Sequence, residues 1–274
     1  MKWPVRIFNF YLDASIHVAL AVFALVQITG GVLKFETSAH LSYFLFFGTI
    51  ACYNFIKYGV GSKKYILVSN RYHKNIQIAS FVALIPALYH ACFFTYETWL
   101  GVIVIIVFTG LYALPIMPHG KNLRSRGLLK IFLVGLVWSL TTVALPAIQA
   151  NKIMNWDVLI ELIQRFLLVL VLMIPFEIRD LKYDKLDLDT LPQRVGIMNT
   201  KKIGYIVTLV LYIMTFLKDE LAWSEILGKA ILGVMLCLAL IYVKKDRSKY
   251  FASFWVEAIP IFWWAVIFSL QYYF

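Results

Sequence analysis

Charge is what this sequence has least of. Only 15% of its 274 residues are Asp, Glu, Lys or Arg, against 61% hydrophobic, and the mean hydropathy is +0.77. A soluble domain is nearer a quarter charged, so this chain has too little polar surface to coat a globule of its size. That excludes an ordinary soluble enzyme and a disordered chain. Cysteine is scarce as well. Cys52, Cys92 and Cys237 each lie inside an apolar run, which excludes a disulfide scaffold and marks them as small core residues that say little about redox compartment. His17, His40, His73, His90 and His119 are scattered with no H-x-x-x-H and no cysteine pairing, so no zinc site is expected. Gly59-Val60-Gly61-Ser62 lacks the Lys-Ser/Thr context of a phosphate loop and reads as a bend. There is no repeat, low-complexity tract or domain linker, so residues 1–274 form a single membrane-embedded helical domain.

What the sequence does have is long apolar runs. Windows able to span a bilayer fall near residues 14–33, 38–57, 76–94, 98–114, 128–149, 156–177, 203–217, 224–243 and 254–273, predicting an all-α, polytopic bundle of nine transmembrane helices. The basic N-terminus leads into an apolar stretch, but Asp13 interrupts it and no small-residue cleavage site follows, so the first run is expected to be an uncleaved span. Three connections are long: 58–75, 115–127 and 178–202. With the N-terminus cytoplasmic, the inner segments hold 21 of the 26 Lys and Arg and the outer loops three. That is the bias topology requires. It explains the net charge of +11 without nucleic acid, and points to an integral protein of a bacterial-type inner membrane with its long loops in the cytoplasm.

The acids carry the functional information. Glu177, Asp180, Asp184, Asp187 and Asp189 crowd the inner end of the sixth span, and positions 180, 184 and 187 would share a helical face. Carboxylates so close repel and call for a cation. Either Arg179, Lys182 and Lys185 neutralise them, or Asp180, Asp184 and Asp187 hold Mg²⁺ that also takes substrate phosphate oxygens.

The stretch Glu177-Ile178-Arg179-Asp180-Leu181-Lys182-Tyr183-Asp184, followed by Thr190-Leu191-Pro192-Gln193-Arg194-Val195-Gly196, resembles the second aspartate motif of the UbiA superfamily of intramembrane prenyltransferases. In that family an Asp-x-x-x-Asp ends helix 6, and a Thr-Leu-Pro element and a Gly open the next. The nine spans and the long loops after the second and sixth fit the same pattern. The resemblance implies Mg²⁺-dependent transfer of a prenyl group from a prenyl diphosphate to a lipid-soluble acceptor. Pyrophosphate leaves, and the allylic cation is captured in a dry, aromatic-walled cavity. Asp180 and Asp184 would be catalytic and, with Asp187, metal-binding. Asn54 would orient a phosphate or a metal-bound water. Lys57, Arg71, Lys121 and Arg194 would bind the diphosphate, and Tyr58, Tyr112 and Tyr183 would line the substrate cavity.

The family's first motif, Asn-x-x-x-Asp-x-x-x-Asp, is degenerate here. Asn54 matches, but Tyr58 and Ser62 stand at the carboxylate positions, and no acid occurs between Glu36 and Glu97. Three readings follow: an enzyme in which Lys57, Lys63, Lys64, Arg71 and Lys74 replace one metal; a non-catalytic relative that binds a lipid or a partner membrane protein; or a transporter. The transporter is disfavoured because the span interiors are nearly free of ionisable residues. Of those present, Glu161 and Arg165, four residues apart, are expected to pair with each other. Trp263 and Trp264 are expected in the interfacial belt or facing lipid.

Overall fold

The computed structural model describes residues 3–59, 71–114, 127–152, 154–183 and 188–273, and among these every regular element is helical. A short helix α1 (Trp3–Asp13) precedes α2 (Ile16–Leu33), α3 (Ala39–Asn54), α4 (Arg71–Ala91) and α5 (Tyr96–Ala113). Next, α6 (Gly127–Ser139) runs through a π-helical turn at Leu140–Ala144 into α7 (Leu145–Gln149). The chain ends with α8 (Trp156–Asp180), α9 (Leu191–Ile213), α10 (Trp223–Tyr242), a π-helical turn (Phe251–Val256) and α11 (Ile259–Tyr273).

Eight segments are long and apolar enough to cross a membrane, which makes this a multi-pass integral membrane protein. They correspond to eight of the nine expected spans. The other, α4, is 21 residues long but opens on Tyr72-His73-Lys74-Asn75. Beyond that polar turn Ile78, Phe81, Val82, Ile85 and Leu88 are exposed, an apolar face of the kind lipid covers. α1 has no counterpart among the expected spans.

Helices α2 and α8 form the axis of the bundle. α2 is buried on most of its circumference, as expected of a helix hydrophobic all round. α8 is begun by Asn155, whose side chain accepts the Val158 amide at 3.1 Å, and carries Asp157 in its first turn and Arg179 in its last, both in the sense the helix dipole favours. The main core joins Leu25 and Ile28 of α2 to Leu168 and Ile178 of α8, Leu232 of α10 and Trp263 of α11. Trp263 is 1% exposed and lies 5.7 Å from the Arg165 guanidinium. The expectation that it faces lipid or the interface is therefore corrected: its indole covers a buried cation, which lipid could not do.

Two glycines set the end of the bundle that bears the acids. At Gly127 a Cβ would collide with the Asp189 carbonyl, so α6 starts directly against the chain leading into α9. Gly196 adopts φ 80° and ψ 158°, which only glycine takes without strain, and there the first turn of α9 breaks from its body.

Candidate functional site

A cavity of about 630 Å³ opens between α2, α3, α5, α6, α8 and the start of α11. Its walls are mainly aliphatic and aromatic, with Tyr53, Phe176, Trp138, Val22, Leu45 and Leu145 among them. Lys130 and Leu145, both lining residues, are fifteen positions apart on one continuous helical run, so the cavity extends for about 22 Å along the bundle. Polar groups gather at one end, where Lys57 lies in the π-helical turn Phe55–Gly59 that follows α3, Tyr112 ends α5, Lys130 begins α6, Asp180 ends α8 and Glu257 precedes α11.

The charges at that end are internally arranged. Lys130 donates to Glu177 at 2.6 Å, with the Glu177 side chain fully buried. Arg179 donates through Nε to Asp180 Oδ1 at 2.8 Å and lies 5.1 Å above the Phe176 ring. Lys182 reaches Asp246 at 2.8 Å, tying the end of α8 to the segment before α11. That contact holds the Asp246 carboxyl below its ordinary range. The opposed pairs leave the site close to neutral, which matters most for the buried Lys130–Glu177 pair.

Of the sequence-nominated residues, Lys57, Tyr112 and Asp180 line the cavity. Lys121, Asp184 and Asp187 lie outside the described residues, as does the side chain of Arg71. Four others are not at the cavity. Asn54 is buried and its amide is engaged: the oxygen accepts from Ser15 Oγ at 2.7 Å, and the nitrogen donates to the Ala14 carbonyl at 3.0 Å and Ser80 Oγ at 2.9 Å. Tyr58 donates to the Asp13 carbonyl at 3.1 Å, while Tyr72 donates to Asp13 Oδ2 at 2.8 Å. These groups latch the α1–α2 junction to α3 and α4, in the place where the resemblance calls for a metal site. Tyr183 is 83% exposed, because α8 ends at Asp180 and turns, with the Tyr183 amide on the Asp180 carbonyl at 2.8 Å. The expected single helical face running on from Asp180 is thus interrupted at residues 181–183. Arg194 pairs with Asp189, both side chains largely exposed, and so stabilises the approach to α9.

Two features escaped the sequence reading. Glu257 lines the cavity from the last span. Its signal was available, since it is the only acid in that span and an intramembrane carboxylate is a functional-site candidate by default. The span interiors are also not poor in charge. Glu161 does bond Arg165 as expected, at 3.1 Å, but it also takes Lys218 at 3.0 Å and Lys229 at 2.9 Å, and both lysines reach Glu225 at 2.6 Å. Arg165 continues the network to Thr142 Oγ1 at 3.0 Å, at the floor of the cavity.

Among the described residues no group of three His, Cys, Asp or Glu could hold a metal. Asp180 is nevertheless compatible with Mg²⁺, which is commonly held by one or two carboxylates completed by substrate phosphates and water. The pair with Arg179 uses only Oδ1.

This architecture has solved counterparts. A UbiA homolog from Archaeoglobus fulgidus, bound to GPP and Mg²⁺, is similar over 95% of this chain and 99% of its own, with a TM-score of 0.58 and 13% identity. The homolog from that organism bound to DMAPP and Mg²⁺ gives 0.58 at 12% identity, over 97% and 99% of the two chains. A digeranylgeranylglyceryl phosphate synthase gives 0.55 at 15% identity over 97% of both. No protein-family model and no curated protein matches the sequence. The class is therefore a multi-pass membrane protein of UbiA fold, the fold of structures that hold prenyl diphosphates with Mg²⁺.

Proposed function

We propose that the chain is a member of the UbiA superfamily that transfers a prenyl group from a prenyl diphosphate to a lipid-soluble acceptor. The observation that carries this reading is the long apolar cavity with Lys57, Lys130 and Asp180 gathered at one end. A prenyl diphosphate has the same polarity: an apolar tail on a compact anion. The 21-to-3 distribution of basic residues supports a cytoplasmic position for the charged end in a bacterial-type inner membrane, where a water-soluble diphosphate headgroup can enter.

Asp180, with Asp184 and Asp187 from the adjoining segment, would hold Mg²⁺, which when bound neutralises diphosphate oxygens. Lys57, Lys130 and Arg179 face the charge that develops on departing pyrophosphate; Arg71 and Lys121 are candidates for the same task. Binding requires Arg179 and Lys130 to exchange their carboxylate partners for phosphate oxygens, a trade guanidinium and ammonium groups make readily. Tyr53, Tyr112, Phe176 and Trp138 offer ring faces to an allylic cation, and the apolar wall keeps water from quenching it.

The decisive experiment pairs D180N with D184N and measures Mg²⁺-dependent binding of geranyl diphosphate to protein in nanodiscs. We expect binding to be lost with the thermal midpoint unchanged. Wild type that binds no prenyl diphosphate would overturn the enzyme reading. The mutual neutralisation of the mouth charges favours the second reading in that case: a non-catalytic relative whose cavity holds membrane lipid or whose surface meets a partner membrane protein.

A further inference from the structure

Among the described residues, the other carboxylates at the cavity mouth each make an ion pair: Glu177 with Lys130 and Asp180, through one oxygen, with Arg179. Glu257 is different. It lines the same cavity, yet among the described residues no donor lies within hydrogen-bond distance of its carboxylate. Lys57 and Arg179 act on it only through space. An uncommitted carboxyl in an apolar wall is expensive to keep and is found where it has a task. Local geometry aims it there. Glu257 follows the π-helical turn Phe251–Val256, with its amide on the Ala252 carbonyl at 3.3 Å. Such turns re-aim a side chain and recur at functional sites.

We propose that Glu257 is the proton acceptor for the group that captures the prenyl cation, and that this group is a neutral O–H or ring C–H of a lipid-soluble molecule. The proposal rests on the prenyltransferase reading. The C1–O bond of the prenyl diphosphate breaks and its electron pair leaves with pyrophosphate. A lone pair of the acceptor oxygen, or a π pair of its ring, forms the new bond to C1. The proton displaced from that oxygen or ring carbon passes to a Glu257 carboxylate oxygen. An acceptor bearing its own carboxylate would set two anions together in an apolar wall, so charge selects a neutral one.

The groups around Glu257 that bear on its ionisation are Tyr11 of α1, Tyr53 of α3, Lys57 in the turn after α3, and Arg179 of α8. Tyr112, Lys130 and Asp180 share the cavity. The test compares wild type, E257Q and E257D as full chains in nanodiscs, with geranyl diphosphate and MgCl₂ as donor and menadiol or hexadecanol as acceptor. For E257Q, geranyl diphosphate binding and thermal midpoint should stay unchanged. Product formation should fall about 100-fold, and the acid limb of the kcat/KM pH profile should vanish. E257D should keep that limb and recover part of the rate. Equal turnover by E257Q and wild type overturns the proposal, as does loss of donor binding in E257Q. So does a wild type that binds geranyl diphosphate but prenylates neither acceptor, because the acceptor class is part of the claim. A wild type that binds no geranyl diphosphate fails earlier, at the prenyltransferase reading itself. If E257Q does not fold, E257D decides: a retained acid limb supports the assignment and its absence overturns it.

Discussion

At the scale of single residues, the buried ion network shows how strongly context sets the effect of a charge. Glu161 is shared by Arg165, Lys218 and Lys229, and Glu225 by both lysines, all of them buried. Three cations thus face two carboxylates. Removing Glu161 leaves three buried cations to one remaining carboxylate, a change that costs about 3–5 kcal/mol when a buried pair is broken. Removing Lys229 leaves two cations for two carboxylates. We therefore expect E161Q to lower the thermal midpoint in detergent far more than K229M; the reverse order would show that the network is not closed as described. Burial works to lower the Lys218 pKa, but contact with Glu161 and Glu225 raises it above its ordinary value. A raised folded pKa means this stabilisation is complete below the unfolded value of about 10.4 and is lost as pH climbs through the folded one. The midpoint should accordingly fall on the alkaline side, above about pH 10.4, and K218M should remove that dependence.

At the scale of elements, the entry to α9 is where the motif and the structure agree: the helix opens at Leu191, directly after Thr190, within what hydropathy reads as the connection 178–202. The Thr190 amide donates to Gln193 Oε1 at 2.9 Å, one half of a capping box, Pro192 lies in the first turn as helix starts favour, and Gly196 then breaks the helix. Open space surrounds the Gly196 Cβ position, so a substitution there meets no clash and only the backbone conformation resists it. G196A should therefore destabilise by about 1–3 kcal/mol. An unchanged thermal midpoint would mean the break at 196 is not held. By contrast, the end of α8 was not legible. The spacing of Asp180, Asp184 and Asp187 reads as one helical face, but the chain turns at residues 181–183. Nothing in the periodicity marks that stop, because Lys182 ends on Asp246, a contact across more than sixty residues of sequence.

At the scale of the whole molecule, hydropathy alone was enough for the class and for most span limits, because apolar length is a local property and lipid demands it. The partners of individual polar groups were not legible, since they depend on which spans face each other. Asn54 and Tyr58 sit at motif positions yet latch α1, whereas Glu257, in no motif, reaches the cavity. The cavity itself can be tested without knowing the acceptor, because Cys52 and Cys92 are both exposed, not core residues, and Cys52 lines the cavity while Cys92 does not. An apolar maleimide should alkylate both in nanodiscs. Geranyl diphosphate with Mg²⁺, at a hundred times its dissociation constant, leaves about 1% of sites empty by mass action. Alkylation of Cys52 should slow about 100-fold while Cys92 reacts as before. Equal rates at both positions with ligand bound would place the prenyl diphosphate elsewhere on the protein and remove the cavity from the mechanism.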